Sequence, residues 1–145
     1  MLLISAQDAI AGLAAIVARL NTTGTDNPTI EVYSGARPAT LAEALTTQKK
    51  LVVLELDEVA AFGAPADVVG QTYVESVAAP VADTPALETD VATWFQVLDD
   101  TGAKRWIGSV TEANLGGDLE ISSVNMVKDV NVVTVALRVR FPKGA

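Results

Sequence analysis

Residues Ala92 to Val110, ATWFQVLDDTGAKRWIGSV, constrain this chain more than any other stretch, because they read as two strands folded back across an acidic turn closed by glycine. Alternation puts Thr93, Phe95 and Val97 on one side of the first strand and Ala92, Trp94, Gln96 and Leu98 on the other, the two-residue period of a pleated ribbon. Asp99, Asp100, Thr101 and Gly102 supply the turn, since short polar side chains and glycine tolerate the φ angles that tight hairpins require. The return strand runs from about Lys104 to Val110. Its Trp106 is placed to pack near Trp94, with the turn length deciding which face each ring takes. A hairpin of this kind is scaffold, not a reaction centre.

Other segments repeat the pattern. Thr29 to Tyr33 alternates Ile30 and Val32 inward with Glu31 and Tyr33 outward. Ser34 to Thr40 is a turn around Gly35 and Pro38, Leu41 to Leu45 has room for one helical turn, and Leu51 to Asp57 is a strand with Val52, Leu54 and Leu56 on one face. Glu58 to Thr89 is rich in Ala, Pro, Gly and Asp, with a strand pair or meander over Val68 to Val77. Gly116 and Gly117 lead into Asp118 to Ser123, where Leu119, Ile121 and Ser123 share a side. In Val132 to Phe141 the pattern puts Val133, Val135, Leu137, Val139 and Phe141 on one face and Thr134, Arg138 and Arg140 opposite. The expected core therefore includes Trp94, Phe95, Trp106, Val135, Leu137 and Val139.

Ahead of these strands, Ser5 followed three residues later by Asp8 is a capping signature, and Ala6 to Leu20 is rich in helix formers. Ile10, Leu13, Val17 and Leu20 fall at helical spacing on one face, widened by Ile16. That face either covers the chain's own core or docks on a partner. Short strands, turn signals and one leading helix predict a mainly β chain, an antiparallel β-sandwich of jelly-roll or immunoglobulin-like type. The organisation is a helix-and-turn element over 1–28, a possible docking element, followed by a sandwich over 29–145.

A chain of 145 residues has a prior of one domain, and its 50% hydrophobic content excludes disorder on compositional grounds. It has no cysteine and no histidine, which removes disulfides, thiolate chemistry, the commonest general base and the commonest transition-metal ligand. A Ser-His-Asp triad cannot be assembled, and no serine lies in a Gly-x-Ser-x-Gly setting. Gly116-Gly117 lacks the Lys-Ser/Thr of a phosphate loop. Asp57 with Glu58 and Asp99 with Asp100 are the densest carboxylate pairs, but neighbours on a strand point to opposite faces and neighbours at a turn cap backbone amides. The calcium spacing of an EF-hand is missing there too.

The net charge of −8 would repel a phosphate backbone, so nucleic acid is not an expected partner. The apolar run Ala9 to Ala18 is too short to cross a bilayer, and no basic residue precedes Arg19 as a secretory signal would require, so neither a membrane partner nor export is expected. Arg138 and Arg140 form either a solvated strand face or a set of cations for a partner's carboxylates. The Trp94 and Trp106 rings serve either as core or as a stacking platform for a sugar.

In order along the chain, Ile30 to Gly35 with Arg37-Pro38-Ala39-Thr40, then Leu54 with Ala61-Phe62-Gly63, then Ala92-Thr93-Trp94-Phe95 through Asp99-Asp100-Thr101-Gly102, resemble a family of small tailed-bacteriophage virion proteins. Gly117-Asp118-Leu119 and the valine-rich stretch Val130 to Pro142 complete the similarity, which covers roughly Thr29 to Pro142. The resemblance implies a β-sandwich component of the particle, assembled in the host cytoplasm, without enzymatic activity or cofactor. It is either a decoration or cement protein that grips the major capsid protein and stabilises the head, or a minor tail or head-tail connector component. Other virion proteins and further copies of itself, as a dimer or trimer, are the expected partners. A carbohydrate-binding β-sandwich module is the alternative from a different class.

Overall fold

The computed structural model describes residues 2–20, 26–56, 62–78 and 81–144. One helix, α1 (Ala6–Ala18), precedes β1 (Thr29–Tyr33), β2 (Lys50–Glu55), β3 (Ala66–Asp67) and β4 (Tyr73–Ala78). The short β5 (Thr84–Pro85) and β6 (Asp90–Val91) lead to the hairpin of β7 (Trp94–Leu98) and β8 (Lys104–Glu112). Last come β9 (Leu119–Ile121), β10 (Asn125–Met126), β11 (Asn131–Val132) and β12 (Thr134–Pro142). The fold is mainly β with one N-terminal helix, in a β-sandwich-like arrangement.

Eight strands form one continuous ladder in the order β2-β1-β7-β8-β9-β12-β4-β3. β8 makes it two layers. Its first part, Lys104 to Ser109, pairs with β7, while Val110 to Glu112 pair with β9, so the strand belongs to both layers and turns the corner between them. The β8–β9 pairing is parallel, which departs from the all-antiparallel sandwich that the short strands and tight turns predict. The core lies between the layers: Ile30, Val32, Leu54, Phe95 and Val97 from one side meet Leu119, Ile121, Leu137 and Ala78 from the other. β5–β11 and β6–β10 are separate two-stranded ribbons.

Helix α1 starts where its cap dictates, with the Asp8 N–H donating to Ser5 Oγ at 3.1 Å. It stops at Ala18, two residues short of the expected end, and Leu20 beyond it enters the main core. Ala9 and Leu13 are fully buried against Val74 of β4, with Ile10, Val17, Val139 and Phe141 packed around them. Val74 shares the face of β4 that holds Ala78 in the main core, so the helix lies beside the first layer and extends the same interior. The segment 41–45 is an irregular turn, not a helical one.

The last strand departs from its expected pattern. Thr134 and Ala136 are buried while Val133 and Val135 are each 40% exposed, and the inward set changes parity at Leu137. The cause is a register shift between Thr134 and Ala136 against β9, which adds one residue to β12 and flips every side chain before it. Val135 is therefore not a core residue, and Val139 packs under the helix, away from the main core.

Candidate interaction surfaces

The carboxylate at the hairpin turn has a structural occupation. Asp99 Oδ1 accepts from the Thr101 N–H at 2.9 Å, the Thr101 hydroxyl at 2.6 Å and the Ala103 N–H at 3.0 Å, while Arg105 donates to Oδ2 at 2.7 Å. Gly102 takes φ +82°, which only glycine adopts freely, and its N–H donates to the Asp99 carbonyl. Burial by itself would raise the pKa of Asp99, but the bonds from Thr101, Ala103 and Arg105 outweigh it and bring it down to about 2. Among the described residues no cluster of three or more acidic side chains converges as a metal ion would need. Asp57 and Glu58 lie outside those residues.

On the outer side of the first layer Glu31 gathers three donors: the Tyr33 hydroxyl at 2.7 Å, the Gln96 amide at 2.6 Å and the Lys50 ammonium at 2.7 Å. Desolvation opposes the charge of Glu31, yet Lys50, Gln96 and Tyr33 together hold its pKa below the usual carboxylate value. The hydroxyl of the buried Tyr33, set against that carboxylate, is pushed well above its ordinary pKa, by desolvation first and then by Glu31. The second layer carries a matching ladder. Arg140 Nε donates to Glu75 Oε2 at 2.8 Å, and Arg138 pairs with Glu120, which also accepts from the Asn114 N–H. The Arg138 and Arg140 face thus finds its carboxylates within the chain.

The two tryptophans do not meet. Trp94 stands opposite Ser109 and Trp106 opposite Val97, which places the rings on opposite faces of the hairpin. Trp94 is 1% exposed and stacks on Tyr33 at 4.5 Å between ring centres, whereas Trp106 meets Phe62 edge-on at 5.7 Å. No two-ring platform for a sugar exists in this geometry. The helix face expected as a docking element is likewise engaged internally: Leu13 and Leu20 are fully buried, Ile10 and Val17 pack on β4 and β12, and Ile16 is half-buried.

Concave and apolar surface remains elsewhere. A groove of about 500 Å³ runs between the loop Arg37 to Leu41 and the β8 residues Arg105 to Ile107. A smaller cavity of about 150 Å³ opens where β8 and β12 diverge, with Phe95 and Trp106 on one wall and Leu137 and Arg138 on another. A shallow apolar hollow of about 440 Å³ involves Ala92, Val110, Leu115 and Val124. Leu87, Val91, Val127 and Val130 are each 45–57% exposed around the two small ribbons. The groove is invisible to alternation and turn signals, because a Pro-containing turn predicts a change of direction and not what the loop then crosses. Glu75 and Glu120 were open to recognition as the outward partners of Arg138 and Arg140, since both sit at alternate positions of strands, but strand order was needed to bring them together.

Comparison with family models, with curated proteins and with solved structures finds no match for this chain.

Proposed function

We propose that this chain is a non-enzymatic structural protein of a tailed-bacteriophage particle, a decoration or cement protein that binds the capsid and stabilises the head. Two lines support the reading. The first is the ordered set of motifs from Ile30 to Pro142 that resembles small virion proteins. The second, which carries most weight, is that the residues of those motifs act as framework. Tyr33 stacks on Trp94, Phe62 packs on Trp106, Phe95 lies over Gly108, and Asp99 locks the hairpin turn. The carboxylates and arginines from which a reaction centre would be built are largely engaged in bonds of this kind.

A rigid two-layer body with exposed aliphatic loops suits adhesion. Subunits held by such a body gain binding free energy that separated ones lack, which raises the stability of the whole shell by mass action. The decisive measurement is the copy number of the chain in purified virions, by quantitative mass spectrometry or cryo-EM density. Hundreds of copies over the head lattice are expected. Absence from the particle overturns the reading, and a few or a dozen copies at the tail or vertex replace decoration by a tail or connector role.

A further inference from the structure

We propose that the Arg37 groove and the exposed aliphatic patch around the two small ribbons are complementary halves of one contact, through which one copy docks on the next. The inference stands apart from the virion reading and fails separately from it. Its first half is the groove between the loop 37–41 and β8. Arg37 is exposed and forms no ion pair or hydrogen bond with any described residue, whereas Arg105 beside it is anchored on Asp99 and still one-third exposed. Leu41, 40% exposed, and Ile107 give the groove aliphatic walls. A guanidinium with no partner among the described residues, set beside Leu41 and Ile107, stands out on a chain whose net charge is −8.

The second half lies around the small ribbons. Leu87, Val127 and Val130 are 49%, 52% and 57% exposed, and the backbone between them is firmly tied. The Ala86 N–H donates to the Val130 carbonyl at 2.9 Å, the Asp129 N–H to the Ala86 carbonyl at 2.8 Å, and the Leu87 N–H to the Leu51 carbonyl at 2.7 Å. These side chains are therefore presented by an ordered scaffold, which lowers the entropy cost of binding. Glu88 and Asp129 flank them, both exposed and neither in an ion pair with a described residue, and Lys128 is the one base in the segment.

Aliphatic surface flanked by carboxylates seeks a groove that sets cations beside aliphatic wall, and the largely polar groove at Arg37 does so with Arg37 and Arg105 next to Leu41 and Ile107. Each copy bears both halves, so a second copy of this chain is the occupant that the chemistry selects. A groove-to-loop contact of this type repeats from copy to copy, closing into a small oligomer where the rotation permits.

Sedimentation equilibrium of the purified protein tests this. The parent should show a mass above the 15.1 kDa of one chain, rising with concentration. Arg37→Glu and Glu88→Arg, both at exposed positions, should each raise the dissociation constant at least about tenfold. The combined variant, with the charges exchanged, should recover most of the loss. Leu87→Ser provides a second route should a charge variant fold poorly, and it too should weaken association. A parent that stays at the mass of one chain up to about 1 mM overturns the proposal. So does an oligomer indifferent to the single variants, or an exchange that restores nothing.

Discussion

Phe95 lies so close over Gly108 that a Cβ on that glycine would stand 2.5 Å from Cε1 and 2.7 Å from Cζ of the ring, with Asp118 Oδ2 at 3.0 Å as well. The corner strand β8 can carry only glycine there, because the ring is fixed in the core and the carboxylate is held by the Ser109 N–H and hydroxyl. Gly108→Ala should cost about 1–3 kcal/mol through overpacking. Urea denaturation measures it, and the coupling can be isolated: Phe95→Leu in the Gly108→Ala background should cost less than Phe95→Leu alone. Purely additive losses would show that the contact is not what selects glycine.

The hairpin turn makes stability depend on acid. The folded pKa of Asp99, about 2, lies below its unperturbed value of 3.8, so its contribution is complete above about pH 4 and is lost as the pH falls through the folded pKa. Asp99→Asn should therefore be less stable than the parent at pH 7, and the gap should narrow between about pH 4 and pH 2. Asp99→Ala, which leaves the Thr101 and Ala103 amides without their acceptor, should cost about 2 kcal/mol at neutral pH. Thermal unfolding across that pH range checks both, and a gap that does not change with pH would remove Asp99 as the source.

The same turn shows what can be read from a sequence and what cannot. Asp-Asp-Thr-Gly between two alternating runs specifies a hairpin because the chemistry of the turn is local, and the alternation on β1 and β7 is unbroken, so Ile30 and Val32 fall inward as expected and Phe95 and Val97 share one side, which the fold turns inward. The N-cap at Ser5 is local in the same way. At the end of the chain valines stand at both parities, as Val132, Val133, Val135 and Val139, so nothing in the residue types marks the register shift that turns Val133 and Val135 outward. The parallel β8–β9 pairing and the separation of Trp94 from Trp106 depend on which strands become neighbours, a property of the whole fold. The groove at Arg37 is illegible for the same reason.

That register shift predicts an asymmetry within one strand. Leu137 is 3% exposed in the core while Val135, two residues earlier, is 40% exposed. Leu137→Ala should cost about 2–5 kcal/mol through lost burial and a residual cavity. Val135→Thr, which keeps the β-branched shape at an exposed site, should change stability by no more than about 0.5 kcal/mol. Comparable losses at the two positions would mean that β12 keeps an unbroken two-residue period.

The sharpest contrast is expected at Trp94. Its ring is buried and stacked on Tyr33 with an interplanar angle of 7°, yet its indole N–H finds no acceptor among the described residues. Trp94→Ala removes the stacked ring and should cost about 3–5 kcal/mol. Trp94→Phe keeps an aromatic face on Tyr33 and deletes the unsatisfied donor, so part of the lost area is offset and the cost should stay below about 1.5 kcal/mol. Fluorescence separates the two rings at the same time. In Trp94→Phe the remaining emission comes from the half-buried Trp106 and should be quenched by acrylamide, whereas in Trp106→Phe the buried Trp94 should be protected. Equal quenching in the two variants would place Trp94 at the surface, and only then would a ligand-stacking role for that ring regain a physical basis.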